Sequence, residues 1–104
     1  MLIATTDTIA HMEITQTIGM VRGATVRSKH IGTDIVASLR NLVGGEQTGY
    51  SSLLAGAREQ ALDRMIEQAE NLGADAIVGF RMETSSIMDG ASEIVAYGTA
   101  VRTR

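Results

Sequence analysis

Cysteine is absent from the chain. With it go disulfides, thiolate catalysis and every cysteine-based zinc or iron–sulfur site. Proline is absent as well, consistent with long uninterrupted elements. Aromatic residues amount to 3%, namely Tyr50, Phe80 and Tyr97. The core must therefore be built from Ile, Leu, Val, Met and Ala, which bury less area per residue than rings do. No apolar run approaches the roughly 20 residues of a membrane span. The opening "MLIATTDT" has neither a basic region nor a useful apolar run, so it does not read as a signal peptide. A soluble cytoplasmic protein is the expectation. Positive charge is also scarce: nine Lys and Arg residues are scattered in a chain of net charge −3. Nucleic-acid binders need a basic patch against phosphate, so that class is disfavoured.

What is present suits one domain, since 104 residues leave room for a single modest core. Residues 2–6 read as a short strand, "DTIAHME" as a connection, and Ile14 to Arg27 as a Thr-, Ile- and Val-rich strand. Gly19 and Gly23 within it mark bulges or close backbone approach. A short helix follows, capped by Thr33 or Asp34, with Ile35, Val36, Leu39, Leu42 and Val43 at helical spacing. Gly44 and Gly45 stop it. A long amphipathic helix runs from about Tyr50 to Leu72. Its apolar arc is Leu53, Leu54, Ala57, Ala61, Leu62, Met65, Ala69 and Leu72, and Gly73 ends it.

Residues 75–87 and 92–103 alternate with period two around Asp89-Gly90, a strong two-residue hairpin signal. Pairing Met88 with Ala91 puts Val78 opposite Val101, Phe80 opposite Thr99, Met82 opposite Tyr97 and Thr84 opposite Val95. That bulky face is expected to meet the helices, with Tyr97 and Thr99 on it. The second face reads Ile77, Gly79, Ile94, Ala96, Gly98 and Ala100, small and apolar apart from Arg81, Glu83 and Arg102. Such a face is expected to meet another copy, and Ala96→Glu to disrupt the contact. The fold class is α+β: an antiparallel sheet packed by one short and one long helix.

Residues 44–51, "GGEQTGYS", fall one substitution short of the P-loop pattern, with Tyr50 in place of the lysine. A P-loop needs a strand before the glycines and a positive charge within, whereas here a helix precedes and Glu46 adds negative charge. The stretch reads as a helix–helix joint that does not bind nucleotides. Thr48 and Ser51 near a helix N-terminus still form a candidate site for a small anion.

"RNLVGGEQTGY" at 40–50, "AREQAL" at 57–62, "GADAIVGFR" at 73–81 and "YGTAV" at 97–101 together resemble the YbjQ-like family of small prokaryotic proteins. The resemblance covers nearly the whole chain. It implies a two-layer, dodecin-subunit-like α/β subunit that assembles as a homopentameric ring, in a bacterial cytoplasmic protein. The family's label is "putative heavy-metal-binding domain". That label brings no catalytic residues to carry over, and Asp75 stands where many members have asparagine.

A divalent or heavy metal is therefore the candidate cofactor, although soft metals favour thiolates that this chain lacks. His11, Glu13 and His30 are the candidate ligands, too few in one copy for a complete site. Exposed loop histidines are the plainer reading, just as Met65 and Met82 read as core fillers. Arg58 falls within the apolar arc of the long helix. Either it pairs with a carboxylate such as Asp34, or it binds an anion in a cleft with Tyr50 nearby. Tyr97 and Thr99 hydroxyls are candidates to line a pocket. No nucleophile–base pair is visible. The leading expectation is a non-enzymatic oligomeric binding or scaffold protein, and the rival is a low-activity enzyme with sites between subunits.

Overall fold

The computed structural model describes residues 1–28 and 49–104, and for 49–52 the backbone alone. Its elements are β1 (Leu2–Ile3), β2 (Ile14–Ser28), α1 (Gly49–Asn71), β3 (Ala76–Met88) and β4 (Ala91–Thr103). The four strands form one sheet in the order β1-β3-β4-β2, with α1 packed on one face. The expected α+β layering is there. The sheet is mixed, however, and not purely antiparallel, because β1 pairs parallel with β3. The expected short helix and its Thr33 or Asp34 cap lie outside the described residues.

Each element follows from local chemistry. In β2 the β-branched content suits an extended strand, and alternation buries Val21, Gly23 and Thr25 while Met20, Arg22, Ala24 and Val26 face out. The helix ends where the sequence places Gly73, at φ +77°. Gly73 N–H donates to the Glu70 carbonyl and Ala74 N–H to that of Ala69, both at 3.0 Å, which closes a Schellman cap. The β3–β4 hairpin turns at Asp89-Gly90 with Gly90 at φ +78°, and Met88 does pair with Ala91. β1 is shorter than the expected 2–6, yet the chain stays bonded to β3 beyond it. Ala4 N–H donates to Ile77, Phe80 N–H to Ala4, and Gly79 N–H to Thr6.

The register beyond the turn corrects the sequence reading. One irregularity falls between Ser86 and Met88 and a second between Val78 and Arg81, around Gly79 at φ +64°. Consequently Met82 pairs with Ala96 instead of Tyr97, Thr84 with Ile94 instead of Val95, and Val78 with Thr99 instead of Val101. A one-residue slip exchanges the two faces of a strand. So Ile94, Ala96 and Ala100 lie under the helix, fully buried with Val21, Ile77, Ala57, Ala61, Met65 and Ala69. Tyr97 and Thr99 face the other way.

The small residues do mark close approach by a backbone, but that backbone is the chain's own helix. A Cβ on Gly23 would sit 2.1 Å from the Ala61 carbonyl oxygen and 2.5 Å from the Met65 amide nitrogen. Beside it Thr25 Oγ1 donates to the Ala57 carbonyl at 3.0 Å. Burying side chains such as Met65, Ile77 and Ile94 contributes roughly 1.5–3 kcal/mol each. Ala96→Glu would therefore place a charge inside this core, and it probes folding before it probes assembly. On the opposite face a smaller cluster of Ala76, Val78 and Val101 is covered by Ile9 and Ile14.

Candidate functional site

The face of the sheet turned away from α1 carries the polar side chains that converge. Tyr97 stands on β4 with Arg22 of β2 and Arg81 of β3 as its cross-strand partners. One row further, Val95 lies between Ala24 and Glu83; one row back, Thr99 lies between Met20 and Val78. Directly opposite and diagonal neighbours on one sheet face are within reach of long side chains. Tyr97 Oη donates to Glu83 Oε1 at 3.1 Å. That hydrogen bond to Glu83 raises the phenol above its ordinary value, helped by partial burial and the Glu83 charge and opposed by Arg81. Tyr97 is thus a protonated donor near neutral pH, ill suited to act as a base. Arg81 reaches back to the N-terminal segment, its Nη1 donating to the carbonyls of Thr5 at 3.0 Å and Phe80 at 2.7 Å.

A phenol hydrogen-bonded to a carboxylate, with arginines opposite it on both flanking strands, can recognise a polar or charged group. Among the described residues it offers no nucleophile with a base aligned to it. Glu83, Arg81 and Arg22 were not among the residues the sequence singled out. The irregularity that sets Arg81 opposite Tyr97 and Glu83 opposite Val95 falls at Ile87 beside the hairpin turn, where the sequence carries no glycine to mark it; the bulge at Gly79 lies beyond that pair and sets only Val78 opposite Thr99.

The other expected site residues are dispersed. Arg58 is exposed on α1 and not buried in its apolar arc, so the expected buried ion pair is not formed. A helical wheel gives direction but not how far the sheet beneath extends; the buried stripe is Ala57, Ala61, Met65 and Ala69. Its expected partner Asp34 lies outside the described residues, as do Thr48 and His30. Tyr50 and Ser51 belong to the first turn of α1, and their side chains lie outside the described structure; Tyr97 and Thr99 stand on the far face of the sheet.

His11 and Glu13 flank the sheet's far end. His11 is exposed at φ +66°, in the Ile9–Met12 turn closed by Met12 N–H to the Ile9 carbonyl at 3.2 Å. Glu13 is engaged by Arg104, with Nη2 to Oε2 at 2.9 Å and paired backbones. Among the described residues no three His, Asp or Glu side chains gather as a metal site would require. Nor do the donors suit a soft ion, with no thiolate and one carboxylate already paired with an arginine. The described part of one copy does not fit a heavy metal. No helix among the described residues is long and apolar enough to cross a membrane.

Comparison with known proteins agrees with the architecture. A family model described as "Putative heavy-metal-binding", of the YbjQ type, matches residues 1–104. A UPF0145 protein of Methanosarcina acetivorans is 60% identical over 102 residues, covering 98% of this chain and 96% of the relative. Another from Halorubrum lacusprofundi is 55% identical over the full length of both, and one from Vibrio parahaemolyticus 55% over 98% and 97%. Archaeal relatives stand beside bacterial ones, so the family is not confined to bacteria. The crystal structure of a protein of unknown function from Pediococcus pentosaceus, placed in the DUF74 family, superposes with a TM-score of 0.60 at 15% identity. The match covers 100% of this chain and 98% of that one, and it bears on the fold alone. With its whole length matched by the family model and relatives above half identity along their full extent, the chain belongs to the YbjQ-like, UPF0145 family.

Proposed function

We propose that the chain is a non-catalytic subunit of a cytoplasmic homo-oligomer, a closed ring of five as the family resemblance implies, that binds a small ligand or metal between copies. The observation that supports this is the far face of the sheet. Met20 is 65% exposed and Val26 53%, and no described helix lies over the Tyr97 row. A sheet with one packed face ordinarily alternates to polar residues on the other, yet here Met20, Ala24, Val26, Val95 and Tyr97 run across it. A neighbouring copy seated there would cover the apolar positions. It would also bring its own side chains to Tyr97, Glu83 and the two arginines. A metal, if bound, would likewise need His11 or His30 from more than one copy.

Light scattering and thermal shift test the proposal together. The wild type should exceed its 11.0 kDa chain mass at micromolar concentration, and Val95→Glu should lower the particle mass. A bound metal ion or metabolite should raise the melting temperature with the logarithm of its concentration. A wild-type monomer would sink the assembly, and a screen of divalent ions and metabolites without any shift would sink the binding role. Turnover of a metabolite that shifts the wild type would move the assignment to an enzyme.

A further inference from the structure

Backbone groups along the outer edge of β2 are taken up by side chains of α1. The buried row of the helix is Ala57, Ala61, Met65 and Ala69, four apart. Gln60, Arg64 and Gln68 each precede one of the last three, so they form a second row, one step round the helix and also four apart. Gln68 Oε1 accepts from Arg22 N–H at 2.7 Å, and Arg64 Nη1 donates to the Ala24 carbonyl at 2.6 Å. Arg27 joins the third member to the strand, its Nη1 donating to the Val26 carbonyl at 3.3 Å and its Nη2 to Gln60 Oε1.

Repeat length and chemistry both match. Four helical residues advance about 6.0 Å and two strand residues about 6.7 Å, so successive members of the row meet alternate residues of β2. Those alternate residues are the outward ones: Arg22 N–H points away from β4, and in an antiparallel ladder Ala24 and Val26 do the same. A glutamine oxygen accepts where an incoming strand would offer a carbonyl, and an arginine donates where it would offer an N–H. Arg22 and Ala24 therefore already hold the bonds that a further strand would make with them.

We propose that Gln60, Arg64 and Gln68 guard the β2 edge, an internal contact that keeps an extended strand of another copy from adding to the sheet. An uncovered strand edge is a template for such addition. The other side of the sheet does not supply the same protection. Among the described residues β1 pairs with β3 at Ala76 and Ile77 alone, and backbone bonds from the N-terminal segment end at Phe80. A copy open on both sides would add others head to tail, and that mode of addition need not close. The guard thus separates assembly of a fixed size from open-ended growth. It goes beyond the far-face reading and does not depend on it.

Removing the two direct contacts tests this. Arg64→Ala with Gln68→Ala uncovers Arg22 N–H and the Ala24 carbonyl while favouring the helix, since alanine is its best former. Incubated at micromolar concentration, this protein should climb at least about tenfold above the wild-type particle mass, with thioflavin T fluorescence rising alongside. Arg58→Ala with Glu67→Ala, at exposed helix positions without a bond to β2, should keep the wild-type mass. Gln68→Lys cannot accept and should also grow, whereas Gln68→Glu still accepts and should not. A folded double variant that stays at wild-type mass without dye binding overturns the guard. Equal growth of the Arg58 and Glu67 pair does so too. If the double variant fails to fold, Gln68→Lys growing no more than Gln68→Glu overturns it instead. Each comparison is with the wild-type mass, so a monomeric wild type would sink the far-face assembly and leave the guard standing.

Discussion

Adding one methyl group at Gly23 should cost more than most substitutions in the core. A Cβ there meets the Ala61 carbonyl oxygen at 2.1 Å and the Met65 amide nitrogen at 2.5 Å, and neither atom belongs to a flexible side chain. Relief requires the helix to retreat from β2 by about 1 Å, and a gap of that size forfeits a quarter to a half of the dispersion energy of the atoms facing it. Ala57, Ala61, Met65 and Ala69 all lose contact, and the Thr25 bond to the Ala57 carbonyl stretches. Overpacking against backbone should cost about 3–5 kcal/mol. The lower entropy of the unfolded chain returns roughly 0.4–1 kcal/mol, so the net loss is about 2–4 kcal/mol. Gly56 is the internal control, because it lies on α1 and a methyl group added there would have nothing within 4 Å. Gly56→Ala should stabilise by roughly 0.5–1 kcal/mol through helix propensity alone. Guanidinium chloride unfolding at fixed protomer concentration reads both. Finding Gly23→Ala as stable as wild type would refute the close approach and the packing built on it.

Two further outcomes follow from particular side chains. Arg58 is exposed, so Arg58→Ala should change stability by no more than about 0.5 kcal/mol; a loss of about 3 kcal/mol would restore the buried ion pair. Tyr97 is held protonated chiefly by its bond to Glu83, so folding favours the neutral phenol. That contribution is complete below the ordinary tyrosine value of 10.0 and is lost as pH rises through the raised one. An ultraviolet titration, with Tyr97→Phe subtracted, should place the Tyr97 midpoint above 10.0, and Glu83→Gln should lower it; an unmoved midpoint would remove Glu83 as the cause.

Much of the fold was legible because its signals are local. The Ile14 strand, the helix ending at Gly73 and the Asp89-Gly90 turn each depend on residues within a few positions of one another. The partnership of β1 with β3 was not, since most of the chain separates them and neither carries a pairing mark. The faces of β4 were lost for a subtler reason. Alternation propagates an error: one extra residue at Ile87 was enough to send Tyr97 to the wrong side, and another at Gly79 did the same to Val78. The Tyr97–Glu83 site was hidden with it, whereas Arg58 misled because a wheel treats every turn of a helix as equally covered.

The alanine-and-glycine seam between helix and sheet also has a calorimetric consequence. Ala57, Ala61, Ala69, Ala96 and Ala100 are fully buried but carry one carbon each beyond the backbone, so little apolar surface meets water when the chain unfolds. Heat capacity of unfolding scales with that apolar surface, which should leave this chain below the usual value of roughly 12–15 cal/mol/K per residue. A small heat-capacity change flattens the stability curve. The subunit should then keep much of its stability across a broad span of temperature, and cold should weaken it less than it weakens domains with large aliphatic cores.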